Sequence, residues 1–361
     1  MTEEITANVR RLLGEAGTDA LIVVNHEGSG QPETRYLSGF TGSASILLIT
    51  KRTRRLLTDS RYYLQAPEEA KGFDVIESSR ENFYRDLRDI CSTDGVRWML
   101  ADPDRIFHQA VLQIGAACPS VQFLFREGFL QRMRLVKTEA EIALLRRAAE
   151  IACLAINRLL PEIREGMMEK TLQMRLGFLM IEEGADRPAF ANCVSGVNGA
   201  FPHKHSGSKK IASGEFLTFD FGAQYQGYVS DMTRTVALGD VPEKLREIYE
   251  TVHKAQELGC ARVRAGMTGR EIDAACRDYI DRQGYGAHFQ HGTGHGIGLQ
   301  GHELPKVNRL AEDPIPAGAV ITIEPGIYVE GLGGVRIEDM VVVTDTGGIN
   351  LNDASSRQLL V

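Results

Sequence analysis

The hydrophobic pattern of the first 130 residues switches repeatedly between helical and strand-like spacing. Apolar residues recur at the helical interval over residues 5–16. Short apolar runs that are typical of buried strands occupy residues 20–24, 45–49, 75–76, 98–100 and 121–125. This alternation predicts a small α/β domain over residues 1–130.

The pattern changes after residue 130. A basic connector covers residues 131–137, and an amphipathic stretch over residues 138–160 follows it. Thr138 with an acidic first turn is a typical helix start, so a long helix is expected there. We place the boundary of a second domain here and assign residues 131–361 to it.

The second domain contains an internal repeat. Ile-Arg-Glu-Gly-Met at residues 163–167 recurs as Val-Arg-Ala-Gly-Met at 263–267, and residues 211–222 recur in modified form at 315–326. Each half reads as two helices followed by a strand pair, which predicts an α+β domain with pseudo-twofold symmetry. The alignment places Asp220 and Glu324 at equivalent positions.

Composition narrows the classes of function. The 361 residues carry a net charge of −7 with 43% hydrophobic residues, so neither a nucleic-acid nor a membrane partner is expected. The six cysteines are scattered without a Cys-x-x-Cys pair, and the acidic start lacks a secretory-signal profile. A cytoplasmic protein is expected.

Two pairs of acids are expected to face each other across hairpins. A turn near Tyr225 would bring Asp220 opposite Asp231, and a turn centred on Gly331 would do the same for Glu324 and Glu338. The flanking residues are apolar, so these carboxylates should be partly buried and in need of a counter-charge. We therefore predict that the four acids converge on metal.

Histidines cluster in the same part of the chain. Seven of the nine lie between residues 203 and 302, and two of these fall in the glycine-rich stretch 291–298. Oxygen-rich ligation with imidazole suits Mn²⁺, Co²⁺, Fe²⁺ or Zn²⁺. Four carboxylates with a neutral histidine carry a charge that two divalent ions would balance.

These motifs resemble a known family, the pita-bread metallopeptidases. The resemblance rests on Phe-Asp-Phe-Gly at 219–222, Ser-Asp-Met-Thr-Arg-Thr at 230–235, residues 291–298, Glu-Pro-Gly at 324–326 and residues 334–339. The chain is most similar to the Xaa-Pro branch, prolidase and aminopeptidase P. Residues 36–44 and 58–63 resemble the creatinase-type N-terminal domain of that branch.

The resemblance implies a role for each matching residue. The ligands of two divalent metals, with Mn²⁺ the first expectation, would be Asp220, Asp231, His295, Glu324 and Glu338. Asp231 and Glu338 would bridge the metals, and a hydroxide held between them would attack an Xaa-Pro bond. Glu324 would accept the proton. The resemblance further implies catalytic or substrate-contacting roles for His203, His291 and His302, and a homodimer.

Two further residues bear on the substrate. Arg336 lies two positions before Glu338, hence on the same strand face, where it could orient a ligand carboxylate. Lys306 follows His-Glu-Leu-Pro, where some prolidases have an arginine that binds the carboxylate of a dipeptide. A lysine there supplies a point charge, which favours a dipeptidase. A solvated surface lysine is the alternative.

Three other functions are alternatives to the Xaa-Pro dipeptidase. The first is an Xaa-Pro aminopeptidase, which shares the predicted site and differs in substrate length. The second is a creatine-type amidinohydrolase without metal, and the third is a non-catalytic pita-bread binding protein. Retention of all five ligand positions argues against the last two.

Overall fold

The computed structural model describes residues 3–29, 31–353 and 355. Its internal contacts divide the chain into two compact units, Met1–Arg134 and Leu135–Val361. Among the described residues, no helix combines the length and the apolarity that crossing a bilayer requires.

The first unit is built on one mixed sheet. Its helices are α1 (Glu3–Ala16), α2 (Pro32–Ser38), α3 (Gln65–Glu69), α4 (Phe83–Asp94), α5 (His108–Ala117) and α6 (Phe129–Met133). Its strands are β1 (Ala20–Asn25), β2 (Ser45–Thr50), β3 (Arg54–Thr58), β4 (Asp74–Glu77), β5 (Trp98–Ala101) and β6 (Gln122–Phe125). The six strands are ordered β4-β3-β2-β1-β5-β6.

Alternation along β1 explains why this sheet is covered on both faces. Leu21 and Val23 pack into one core with residues of α1, α2 and α6, whereas Ile22 packs into another with residues of α4 and α5. Successive side chains of a strand point to opposite faces, so an apolar run becomes a strand buried on both sides. The predicted α/β character of this unit is confirmed.

Strand β3 was not predicted. Only Leu56 and Leu57 are apolar in it, and they enter opposite cores. The basic residue Arg55 is accommodated because its guanidinium binds Asp74 at 2.7 Å and Asp94 at 3.1 Å. A strand with two apolar residues and two arginines carries too little periodicity to be identified from sequence alone.

The second unit contains four longer helices and three sheets. The helices are α7 (Glu139–Leu159), α8 (Glu169–Glu182), α9 (Glu243–Arg262) and α10 (Gly269–Arg282). The strands are β7 (Arg187–Ser195), β8 (Glu215–Tyr225), β9 (Tyr228–Val229), β10 (Met232–Leu238), β11 (Gly294–Gly296), β12 (Glu303–Val307), β13 (Val320–Ile323), β14 (Gly326–Val329), β15 (Gly333–Arg336), β16 (Asp339–Val343) and β17 (Gly348–Asn350). The sheets are ordered β10-β8-β7, with β9 beside β8, then β12-β11-β13-β16-β17, and β14-β15.

The start of α7 agrees with the sequence prediction. The Thr138 hydroxyl accepts a hydrogen bond from the Glu141 amide at 3.3 Å, and the Glu141 carboxylate accepts one from the Thr138 amide at 2.8 Å. This reciprocal capping box satisfies amides that the first turn would otherwise leave unpaired.

The internal repeat is visible in the backbone. Gly166 donates to the Ile211 carbonyl at 2.9 Å, and Gly266 donates to the Ile315 carbonyl at the same distance. Both glycines have positive φ, 85° and 84°. The left-handed conformation favours glycine because it lacks Cβ, so the same turn is specified at the same place in each half. The predicted duplication is confirmed.

Each half packs its strands against its own helix pair. On β8, Leu217, Phe219 and Phe221 enter the core formed with α7 and α8. On β13, Ile321 and Ile323 enter the core formed with α9 and α10. Because side chains alternate along a strand, Asp220 and Thr322 lie on the opposite face. One face of each sheet is therefore covered by helices, and the other carries the polar residues.

We predict that Asp59 stabilises the first unit in a pH-dependent way. Its carboxylate is almost fully buried and accepts hydrogen bonds from Arg61 at 2.8 Å and Arg80 at 3.0 Å. The Arg61 and Arg80 guanidiniums outweigh burial and hold the pKa of Asp59 well below its usual value. The ion pairs of Asp59 therefore contribute their full stability at a pH above the unfolded-state pKa of this carboxyl. That stability is lost as the pH falls below the unfolded-state pKa toward the lower folded-state pKa.

Asp59→Asn should lower the free energy of unfolding by about 1–3 kcal/mol at neutral pH. The difference from wild type should shrink as the pH falls below about 4, as measured by urea unfolding over a pH series. Asp74→Asn is the matched control, because the Asp74 carboxylate is largely exposed and should matter little at any pH. A loss for Asp59→Asn that does not depend on pH would contradict the prediction.

Candidate metal centre

The predicted metal ligands come from both halves of the second unit. Asp220 lies within β8, and Asp231 immediately precedes β10. His295 lies in β11, Glu324 directly follows β13, and Glu338 lies between β15 and β16. All five line one cleft of about 460 Å³. The structure therefore brings together every residue that was predicted to bind metal.

The predicted pairing of Asp220 with Asp231 is wrong by two residues. The turn lies at Gln226 and Gly227, which have φ of 45° and 79°. Two residues with positive φ make a tight two-residue turn, so the register pairs Asp220 with Thr233. Because side chains alternate along a strand, a shift of two residues leaves Asp231 on the expected face.

The predicted pairing of Glu324 with Glu338 agrees with the register of the two ladders that flank these acids. Gly326 pairs with Arg336 on one side of the two acids, and Ile323 pairs with Asp339 on the other. The two ladders share one register, which places the acids opposite each other in the gap between them. There the Glu324 amide donates to the Thr293 carbonyl and the Glu338 amide to the Thr233 carbonyl.

A buried carboxylate–imidazole cluster lies at the centre of the cleft. One potential ligand atom each from Asp231, His295 and Glu338 lie within 4.8 Å of one another. The Nε2 atom of His295 is 3.3 Å from Glu324 Oε1 and 3.7 Å from Asp231 Oδ2. Glu338 Oε1 is buried and has no hydrogen-bond partner among the described residues.

Proximity of these acids shifts their proton affinity. Burial, followed by the charges of Glu324 and Asp220, raises the pKa of Glu338 to about 8. Burial and the charge of Glu338 raise the pKa of Asp231 well above its usual value. Glu324 is also buried, which raises its pKa, but its hydrogen bond with His295 and the charges of His295 and Arg336 together outweigh burial and lower the pKa.

The residues present fit a divalent metal ion. An orphaned buried carboxylate oxygen on Glu338 requires a cation or a proton as a partner. Carboxylate oxygens with one imidazole are the donor set of divalent ions that tolerate mixed oxygen and nitrogen ligation. The same ions would neutralise the repulsion that raises the pKa values of Asp231 and Glu338.

Arg336 contacts a predicted metal ligand. Its guanidinium lies 2.6 Å from Asp220 Oδ2, and its Nε donates to the Thr233 hydroxyl at 2.9 Å. The Thr233 hydroxyl in turn donates to Glu338 Oε2 at 2.7 Å. Arg336 therefore orients Asp220 and Glu338, two of the protein's own carboxylates. Its predicted role in orienting the carboxylate of a bound substrate stays a prediction.

Two residues that complete this network were missed by the sequence analysis. Thr233 joins Arg336 to Glu338, and Tyr328 contacts His291 Nε2 at 2.9 Å and Arg336 at 3.2 Å. Strand periodicity could have found both, since Thr233 is two residues after Asp231 and Tyr328 is four after Glu324.

The predicted histidines lie around the cluster. The ring of His302 stacks on that of His295 with centroids 3.8 Å apart, and His203 lines the cleft from an exposed position. His291 is held between Tyr328 and the Gly292 carbonyl. Burial lowers the pKa of His291, and burial together with the charge of His295 lowers that of His302.

Lys306 lies at the same cleft. It pairs with His295 in the β11–β12 register, its side chain is exposed, and it lines the cavity. Among the residues that the structure describes, no carboxylate pairs with its ammonium group. The lysine is thus placed where a free carboxylate of a bound ligand could reach it.

Comparison with known proteins identifies the class. Residues 143–345 match the model of metallopeptidase family M24, and residues 6–136 match the creatinase/prolidase N-terminal domain. The chain belongs to metallopeptidase family M24 and is a metallopeptidase with that N-terminal domain.

Similar proteins of both substrate types are known. The chain is 36% identical to the solved Xaa-Pro dipeptidase from Bacillus anthracis, with a TM-score of 0.94 and 99% of each chain covered. It is also 36% identical to an X-Pro aminopeptidase from Thermotoga maritima, with a TM-score of 0.92 over 99% of each chain. The Xaa-Pro dipeptidase of Pyrococcus horikoshii is 34% identical over 95% of this chain and 94% of its own. The predicted pita-bread fold is confirmed.

We predict that Thr233→Val weakens metal binding by about 10- to 100-fold. Valine keeps the shape of threonine but removes the hydroxyl that orients Glu338 and accepts from Arg336. Competition with a fluorescent chelator would measure the affinity for Mn²⁺. Thr218→Val removes a hydroxyl contact to Thr235 on the neighbouring strand and should leave the affinity unchanged. Equal affinities of wild type and Thr233→Val would contradict this role.

We further predict opposite effects of Glu338→Gln with and without metal. At about pH 8.5, above the raised pKa of Glu338, the Glu338 carboxylate of the chelator-stripped protein is repelled by the neighbouring carboxylates. A neutral amide at this position removes that repulsion. The melting temperature of the stripped variant should therefore be about 2–4 °C higher than that of stripped wild type. Saturating Mn²⁺ should reverse the order, because only wild type retains the ligand. A stripped variant that melts lower than stripped wild type would contradict the prediction.

Proposed function

We propose that this metallopeptidase is an Xaa-Pro dipeptidase that uses two divalent metal ions. The observation that carries the proposal is the cleft itself, which gathers four carboxylates and four histidines beside a lysine that pairs with no carboxylate of the described residues. The dipeptidases from Bacillus anthracis and Pyrococcus horikoshii, which match nearly the whole chain, support the substrate class.

We assign the metal ligands as Asp220, Asp231, His295, Glu324 and Glu338. Asp231 and Glu338, which are the most buried of the four carboxylates, would hold the metal ions at the centre of the site. Four carboxylates with a neutral imidazole match the charge of two divalent ions. We propose Mn²⁺ as the native metal because most of the ligands are oxygen atoms.

The protein's own residues would move the protons of hydrolysis. When bound, the metal ions would supply an acidified water molecule and a Lewis acid for the scissile carbonyl. Glu324 would accept the proton of the attacking water and deliver it to the proline nitrogen as the C–N bond breaks. The product amine and carboxylate then leave the cleft.

The surrounding histidines would bind the substrate. The pKa values of His302 and His291 are lowered, which favours the neutral imidazole, and a neutral imidazole can donate one hydrogen bond without adding charge. His302 stacks beside His295 and would stabilise the developing oxyanion. His203 belongs to the first half of the internal repeat, whereas His291 and His302 belong to the second. It would contact the substrate from its own side of the cleft.

Lys306 favours a dipeptide. In Xaa-Pro the free carboxylate is on the proline next to the scissile bond, so a cation near the cluster is needed to bind it. Lys306 lies across the β11–β12 ladder from His295 and satisfies that requirement. In a longer peptide the same position would meet a neutral amide, which gains nothing from an ammonium group.

An Xaa-Pro aminopeptidase is the second candidate. The observation in its favour is that the Thermotoga maritima aminopeptidase matches this chain at the same identity and coverage as the Bacillus anthracis dipeptidase. The two activities share the metal ligands and differ in whether the residue after proline is accommodated. Substrate length therefore decides between them.

Stripped enzyme reloaded with Mn²⁺ should hydrolyse Ala-Pro in preference to Ala-Pro-Ala. Lys306→Met should raise KM for Ala-Pro by about 10- to 100-fold with little change in kcat, because it removes a charged contact to the carboxylate. Lys51→Met alters an exposed lysine of the first unit and should change neither constant. Preference for the tripeptide, with no effect of Lys306→Met, would establish the aminopeptidase instead.

A further inference from the structure

Two buried acids occupy comparable places in the two halves of the second unit. Glu169 is the first residue of α8, and Asp273 lies in the second turn of α10. Both side chains are buried, with exposures of 0% and 1%. Neither belongs to the carboxylate cluster. Glu169 accepts a hydrogen bond from Ser195, which precedes His203 in the chain, and Asp273 accepts one from Thr293, which precedes His295.

Glu169 holds one end of the segment that carries His203. Its Oε1 atom accepts hydrogen bonds from the Ser195 amide at 2.7 Å and from the Ser195 hydroxyl at 2.9 Å. The side-chain amide of Asn198 donates to the same oxygen at 2.9 Å. Residues 195–198 are thereby fixed to the start of α8.

The same residue holds the other end of the segment. Glu169 Oε2 accepts a hydrogen bond from the Gly207 amide at 3.1 Å. The backbone amides of Glu169 and Lys170 donate to the carbonyls of Lys209 and Gly207. Both ends of the segment 195–207 therefore meet on one carboxylate, and Pro202 and His203 project from its middle into the cleft.

The second half repeats the arrangement with different residues. Asp273 Oδ1 accepts from the Thr293 amide at 3.1 Å and from the Thr293 hydroxyl at 2.8 Å. Arg277 binds Asp273 and donates to the His291 carbonyl at 2.7 Å. A carboxylate that receives both the amide and the hydroxyl of Ser195 or Thr293 is thus a feature of both halves.

A carboxylate suits this task because every group that faces it is a donor. Burial of a charged group is costly unless hydrogen bonds replace its water. The donors around Glu169 supply these bonds, and Lys209 adds a positive charge by donating to the Ser195 hydroxyl at 2.9 Å. A glutamine would present its NH₂ group to the Gly207 amide or to the Asn198 amide, setting donor against donor.

We propose that Glu169 is a positioning residue that sets the place of His203 in the active site. The proposal rests on the proposed function for its catalytic consequence, since His203 is assigned to substrate binding there. Its structural core is independent of the reaction, namely that one buried carboxylate fastens both ends of the segment 195–207.

Amide hydrogen exchange tests the structural core. In Glu169→Gln, the amides of residues 195–207 should exchange at least about tenfold faster than in wild type. Residues 289–293, which are held by Asp273 and Arg277, should exchange at the wild-type rate. Unchanged exchange in 195–207 would overturn the proposal, and so would acceleration throughout the second unit. This measurement remains decisive even if no Xaa-Pro peptide is hydrolysed.

Kinetics test the link to His203. Glu169→Gln should lower kcat/KM for Ala-Pro by about 10- to 100-fold, the range expected when a binding group is displaced. In a His203→Ala background the same substitution should cost less than about threefold, because its effect passes through that side chain. Equal losses in both backgrounds would overturn the link. Metal affinity should be unchanged in either case.

Two further variants separate positioning from folding. Asn198→Ala removes part of the hydrogen bonding to Glu169 and leaves the carboxylate in place, so it should give smaller changes of the same kind. Glu182→Gln, at the opposite end of α8, alters an exposed acid and should behave as wild type. If Glu169→Gln does not fold, wild-type exchange rates in Asn198→Ala would overturn the proposal.

Discussion

Mutual repulsion among buried carboxylates is the constraint around which the second unit is organised. Asp231 and Glu338 lie so close together, and so far from water, that their pKa values are raised. Such a group of acids lowers stability in the absence of cations. The apolar packing of the strands against the helix pairs must offset that cost, and Thr233 and Arg336 restrain the carboxylates until a metal ion compensates their charge.

The duplicated scaffold divides this work between its two halves. Each half supplies a helix pair, a turn that depends on a glycine with positive φ, and a strand with its apolar side toward the helices. The chemistry on the opposite side has diverged. Asp220 of one half corresponds to Glu324 of the other, and the histidine of the carboxylate–imidazole cluster, His295, comes from the second half. The repeat thus preserves backbone hydrogen bonds while the side chains in the cleft have specialised.

Much of this arrangement could be predicted from sequence because strand periodicity places residues on faces. Parity alone put Asp220 and Asp231 on one face, even though the register was wrong by two residues at the Gln226–Gly227 turn. The alternation of side chains along a strand does not indicate which residue of a distant segment a side chain will contact. The contact of Arg336 with Asp220, and that of Tyr328 with His291, depend on how separate sheets approach each other. Strand β3 was missed for another reason, since it has only two apolar residues and its Arg55 is neutralised by acids remote in sequence.

The single register shared by the ladders on either side of Glu324 and Glu338 limits how the hairpin turn at Gly331 can change in length. A surface turn ordinarily tolerates insertions and deletions. Here an odd change would rotate Glu338 to the opposite face of its strand, and an even change would move it along the strand, away from Glu324. Evolution of this turn is therefore restricted to substitution at fixed length, although it contributes no ligand to the site.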